Sequence, residues 1–263
     1  MGCEDLKSKL EGHFRIEFGA SFSDLGDGEI RFGTTKRREA KRFSGYLLPI
    51  WLARQNSKCI VSISPELQSE VESVFEGLTA SEIFSKKGLR KASNLAESIG
   101  GSVHNHGPYF HNGPETFKPY TRYKVIELRE TDRDIFERHD DWFGAFTGYW
   151  SETKRNTKVF AIFESDIPVS TAYTMCNSIY AWEYAVWTRR ECRGRGYGKA
   201  VVTAAVETTL ACEKLPIYST SWENIASRRL AESLGFQFHC ESYAIKIGDR
   251  ETQGGTGRPA ISW

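Results

Sequence analysis

The sequence predicts a mixed α/β (α+β) chain: a mixed β-sheet with helices on both faces, preceded by an additional N-terminal α+β lobe. Three observations carry this reading. Beyond residue 120, short strand-like runs and helical periods follow one another in the order βαβββαβαβ. Before residue 115, strand and helix signals are mixed. Between them the stretch 102–119, SVHNHGPYFHNGPETFKP, is rich in Gly, Pro, Asn and His, follows neither period and reads as a connector. The expected division is a lobe over 1–115, a second domain over 120–250 and a flexible tail over 251–263.

The elements are justified in order. Residues 14–18 alternate and are expected as a strand. The run 59–64, CIVSIS, is a second strand, after which Pro65 opens a helical pattern through Val71, Val74 and Phe75. A further helix is expected over 80–98. After the connector, 123–129 (YKVIELR) alternates as a strand, and Thr131 can cap a helix running to Phe146. Three successive strands are expected over 158–163, 168–175 and 181–188. Residues 198–212 read as a helix with Val201, Val202, Ala205, Val206 and Leu210 on its apolar side. A short strand over 216–219 precedes a helix over 224–234, which Gly235 ends. One or two strands over 236–247 close the chain.

Composition narrows the function classes. The chain has 263 residues with 35 Lys+Arg against 34 Asp+Glu, so a net charge of +1 gives no global case for nucleic acid or an anionic membrane. Its longest strongly apolar stretch, 46–53, contains Pro49 and is too short to span a bilayer. MGCEDLKSKLEG has no apolar core of a secretory leader, and Leu6 stands where a myristoylation signal needs Ser or Thr. The six cysteines are scattered without a CxxC pair, which points to free thiols in a reducing cytoplasm. His104, His106 and His111 are close in sequence, but no thiolate or carboxylate pattern accompanies them, and no metal site is expected.

The chemically informative segment is Arg193-Gly194-Arg195-Gly196-Tyr197-Gly198-Lys199, between a predicted strand and a predicted helix. Alternate glycines let the backbone adopt positive φ and approach a ligand. Amides at a helix start converge on one spot, where the helix dipole favours an anion. Arg193 and Lys199 add charge, so the segment reads as a pyrophosphate cradle. The spacing is not GxxxxGK[ST], and Lys199 stands where GxGxxG would need a third glycine. A basic surface turn is the alternative.

A second segment, 224–236 (NIASRRLAESLGF), follows about 30 residues later. Together the two resemble the GCN5-related N-acetyltransferase (GNAT) superfamily. Arg193, Gly196 and Gly198 match its [RQ]xxGxG turn; Asn224, Leu230, Gly235 and Phe236 match its NxxAxxLYxxxGF motif. The likeness covers about 120–250, including the opening LRETDRD at 128–134, and says nothing firm about 1–115.

The resemblance implies a sheet that splays after its fourth strand, here 181–188, with acetyl-CoA wedged into the opening. Backbone groups of Val186, Trp187 and Thr188 would pair with the pantetheine arm, and one amide would polarise the thioester carbonyl. Amides of Gly194, Arg195, Gly196, Tyr197, Gly198 and Lys199 would hold the pyrophosphate, and Asn224 would bond the pantetheine or cap its helix. Glu183 is the candidate general base, although its offset from Arg193 is one residue shorter than expected; an exposed or ion-paired strand glutamate is the alternative. The family's tyrosine, which would protonate the leaving thiolate, falls on Ala231, so Ser227 and Tyr243 stand as substitutes.

Asp140, Asp141, Trp142, Phe143, Phe146, Tyr149 and Trp150 would line the acceptor pocket, with Trp182, Tyr184 and Trp187 flanking Glu183; a share of these aromatics belongs to the core. The expected activity is acetyl-CoA-dependent N-acetylation of a small-molecule primary amine, without a metal. Acetylation of a protein lysine or N-terminus is the alternative, and a non-catalytic coenzyme A-binding module is the reading from another class. The expected partners are the amine and a second copy of the chain.

Overall fold

The last strand of the chain runs between two strands of its N-terminal half. In the computed structural model, which describes residues 3–39, 46–129, 132 and 157–248, ten strands form one sheet. They are β1 (Ile30–Thr34), β2 (Leu47–Gln55), β3 (Lys58–Ile63), β4 (Gly101–His111), β5 (Ile126–Leu128), β6 (Val159–Glu164), β7 (Ile167–Met175), β8 (Ala181–Thr188), β9 (Leu215–Ser219) and β10 (Gln237–Ile247). Their order is β1-β3-β2-β10-β4-β9-β8-β7-β6-β5. Among these described strands, β1–β3 and β8–β9 pair in parallel and the other neighbours antiparallel.

Helix α1 (Cys3–Phe18) lies on one face, where Leu10, Phe14 and Phe18 pack with Tyr109, Ile217 and Cys240. The other face carries α2 (Gln68–Phe75), α3 (Ala80–Ile83) and α4 (Lys86–Ser98) over Ile50, Leu52, Tyr243 and Ile245. It also carries α5 (Tyr197–Ala211) and α6 (Ile225–Ser233) over Phe110, Phe160, Tyr184 and Tyr218. Adjacent residues on β4 separate the two layers: Tyr109 joins the α1 cluster and Phe110 the α5 cluster.

Several expectations are corrected. Residues 14–18 are helical: Leu10, His13, Phe14, Glu17 and Phe18 are buried, a spacing of three and four, while Ile16 is only half-buried. The stretch 102–119 is no connector, because 101–111 forms β4, paired with β10 on one side and β9 on the other. Its small residues serve close contact. A side chain at Gly107 would meet the Thr220 carbonyl oxygen at 2.1 Å. Asn105 takes φ 53° where the β4–β10 register shifts. The helix expected over 80–98 is two helices, the second capped by Ser85, whose hydroxyl accepts the Gly88 amide at 3.4 Å. The strand over 123–129 shortens to β5. Gly235 ends α6 at φ 85° with the Thr116 carbonyl oxygen 1.8 Å from where a Cβ would stand. The helix expected from Thr131 to Phe146 lies outside the described residues.

Candidate active site

The sheet opens between β8 and β9. They pair only over Ala181↔Leu215, Trp182↔Pro216 and Glu183↔Ile217. Beyond that, β9 stays with β4 through Ser219, while β8 stays with β7 through Thr188. Among the described residues, no strand pairs with 184–188 on the β9 side, which leaves a strand edge facing the opening. Val186, Trp187 and Thr188 lie on this edge.

At the end of the opening, a 3₁₀ turn (Arg190–Cys192) leads into the glycine loop. Gly194 and Gly196 have φ 77° and 91°, and Gly196 is the N-cap of α5. The loop is anchored from several sides. Arg193 Nε donates to the Thr188 carbonyl at 3.2 Å, and the Tyr123 hydroxyl to the Arg195 carbonyl at 2.8 Å. Arg195 and Tyr197 both bond Glu164. Lys199 Nζ lies 4.9 Å from the centre of the Tyr120 ring. A side chain at Gly196 would stand 2.6 Å from the Tyr120 hydroxyl, and one at Gly198 3.2 Å from Leu230 and 3.3 Å from Thr188; at Gly194 none of the described residues lies within 4 Å. Among the described residues, Gly194 thus has room beside a helix N-terminus, an arrangement that fits a pyrophosphate held by backbone amides.

Glu183 occupies the last paired position on β8, on the α1 face, 8% exposed. Its Oε2 accepts from Asn177 Nδ2 at 2.6 Å, its Oε1 from the Ser219 hydroxyl, and Ser219 Oγ accepts from Asn105 Nδ2 at 3.2 Å. On the opposite face, Tyr218 and Ser227 share a hydrogen bond of 2.8 Å. Burial pushes the Tyr218 phenol up to about 12, with the Ser227 bond opposing and Glu183 adding to the shift. Asn224 Oδ1 accepts the Ser227 amide at 3.1 Å, the N-cap bond expected of it.

The structure does not bring Tyr243 into this group. It is fully buried under α3, and its hydroxyl donates to the Ile83 carbonyl at 3.3 Å. Ala231 is fully buried in the α6 core, so no side-chain donor stands there. Trp182 and Tyr184 are core residues, Tyr184 donating to Thr209 at 2.8 Å, whereas Trp187 is half-buried. His104, His106 and His111 take separate partners: the Tyr46 ring, Glu241 at 2.9 Å and the His239 ring. Asp140, Asp141, Trp142, Phe143, Phe146, Tyr149 and Trp150 lie outside the described residues.

Sequence reasoning missed Asn105, Asn177, Ser219 and Tyr218. Tyr218 and Ser219 fall within the strand expected over 216–219, at the end where the parallel partner strand departs. A catalytic reading of that end would have found them. Asn105 and Asn177 carried no such signal.

An opening between two strands that ends at a glycine loop on a helix N-terminus suits a long ligand with an anionic end. The GNAT acetyltransferase family model matches residues 55–245, and the chain belongs to that family. No curated protein matches the sequence significantly. Among solved structures, a Drosophila protein is 14% identical over 95% of this chain and 98% of its own, with a TM-score of 0.51, which shows the shared fold. A GNAT-family acetyltransferase from Colwellia psychrerythraea is 11% identical over 94% of this chain and 98% of its own, TM-score 0.49. A GCN5-related N-acetyltransferase from Kribbella flavida is 14% identical over 62% of this chain and 63% of its own, TM-score 0.42. No described helix is long and apolar enough to cross a membrane.

Proposed function

We propose that the chain transfers the acetyl group of acetyl-CoA to a primary amine of a small molecule, with Glu183 as the base. The observation that carries this is the Glu183 carboxylate, buried at the point of the strand split and hydrogen-bonded through both oxygens. Acetyl-CoA supplies an activated acyl group; its pyrophosphate would lie on the amides of residues 194–199 and its pantetheine along 186–188. Glu183 takes a proton from the acceptor ammonium. The neutral nitrogen then bonds to the carbonyl carbon; as the C–S bond breaks, the nitrogen gives up its second proton and the leaving thiolate takes one up, so that the products are the amide and free thiol. Ser227, bonded to Tyr218 and one helical turn before Ala231, is the candidate donor of a proton to the leaving thiolate.

Helix α1 lies on the same sheet face as Glu183, which supports a share for the N-terminal lobe in shaping the acceptor side. Cys59, Cys176, Cys192, Cys212 and Cys240 are free thiols, which suits a reducing cytoplasm. The test is free-thiol release from acetyl-CoA against a panel of amines, amino acids and peptides. Small amines are expected to give the fastest release; release with peptides alone would move the acceptor class to protein.

A further inference from the structure

Glu183 is held by residues that are themselves held by the first half of the chain. The turn between β7 and β8 carries Asn177, whose amide donates to Glu183 Oε2 at 2.6 Å. That turn is gripped from the N-terminal side at three points. The Arg37 guanidinium donates to the Asn177 carbonyl. His13 Nδ1 lies 3.0 Å from the Ser178 hydroxyl, while its Nε2 lies 2.7 Å from the Tyr109 hydroxyl. Gly12 packs on Tyr180 so closely that a Cβ would stand 2.6 Å from the ring.

The grip is itself built in. Arg37 Nε reaches both oxygens of Glu17, at 3.2 and 3.0 Å, and Glu17 is fully buried with Arg38 as a second partner. On the other carboxylate oxygen the arrangement repeats: Ser219 donates to Glu183, and Asn105 of β4 donates to Ser219. Each oxygen of Glu183 thus meets one side chain that is fixed by an element from before residue 112.

We infer that Asn177 is a positioning residue for Glu183, and that Arg37 and His13 make the N-terminal segment part of the active site by fixing the turn that carries Asn177. This rests on Glu183 being the base. A carboxylate held at both oxygens has one orientation toward the acceptor nitrogen. A base displaced by about an ångström can lose about 100-fold in rate.

The test compares two acceptors in the intact chain with acetyl-CoA as donor. Hydroxylamine is neutral at pH 7 and needs no base; the best primary alkylamine of the panel is an ammonium and does. Asn177→Ala is expected to lower the ratio of alkylamine to hydroxylamine turnover about 100-fold, and Arg37→Ala to lower it in the same direction by less. Coenzyme A affinity, measured by calorimetry, should stay within twofold in both, which separates positioning from general damage. Should Arg37→Ala lose that affinity, Arg37→Lys, which keeps a charge beside Glu17 but loses the forked donor, carries the same comparison. An unaltered ratio in variants that bind coenzyme A normally overturns the positioning role and leaves the transferase reading standing. Absence of transfer from the wild-type chain to either amine removes both.

Discussion

Ser219 donates its hydroxyl to Glu183 Oε1 at the point where β8 and β9 part. The parallel pairing ends at Glu183 on β8 and at Ile217 on β9, two residues before Ser219, which is paired with Tyr109 of β4. The polar side chain is thus supplied from the departing strand to a carboxylate on the remaining one.

Glu183→Gln keeps the shape of the side chain but removes its basicity. Turnover of an alkylamine should fall by about 100- to 10,000-fold, and raising the pH should recover part of it because more amine is then neutral. Coenzyme A binding should survive. The measurement is kcat/KM against pH for both proteins; identical profiles would assign the proton to another group.

Gly194 is the loop glycine at which substitution tests ligand contact with least disturbance of packing. Its φ is 77° and its Cβ position is open, whereas a side chain at Gly196 meets Tyr120 and one at Gly198 meets Leu230 and Thr188. Gly194→Val should strain the loop by about 1–2 kcal/mol and turn its amide away, weakening coenzyme A roughly tenfold or more. Calorimetry with a folded variant showing unchanged affinity would move the pyrophosphate elsewhere.

Tyr218→Phe retains the ring that packs on Phe236 at 5.6 Å and removes the hydroxyl bonded to Ser227. If this pair serves the leaving thiolate, kcat should fall about tenfold or more in both Tyr218→Phe and Ser227→Ala, with the double variant no worse than either single one. Additive losses, or a loss of thermal stability alone, would mark the bond as structural.

Stability should decline in mild acid. Burial holds His239 down to about 3 and His104 to about 4, from an ordinary value of 6.5. Both are neutral in the fold at neutral pH. The unfolded chain takes up protons below 6.5 that the folded chain refuses, so stability is full above that pH and is lost as pH falls toward the folded values. At about 1.4 kcal/mol per unit, the loss amounts to a few kcal/mol. His239→Phe, which keeps the contact with Phe14, should flatten Tm between pH 6.5 and 4.5; an equally steep curve would place the proton uptake elsewhere.

What the sequence determined by itself was local. The glycine loop, the helix that follows it, the N-cap at Asn224 and the C-terminal glycine at Gly235 are legible because caps, positive φ and helix starts are short-range demands on residue type. Glu183 was legible only as a position on a strand. The tertiary structure alone decided three things. It put residues 101–111 in the centre of the sheet, because a strand paired on both sides satisfies a Gly- and Pro-containing backbone whatever its composition suggests. It made 14–18 helical, because burial at every third and fourth position of α1 outweighs a five-residue alternation. And it gathered Asn105, Asn177 and Ser219 around Glu183, from separate parts of the chain, through strand pairing and a turn whose geometry no local pattern encodes.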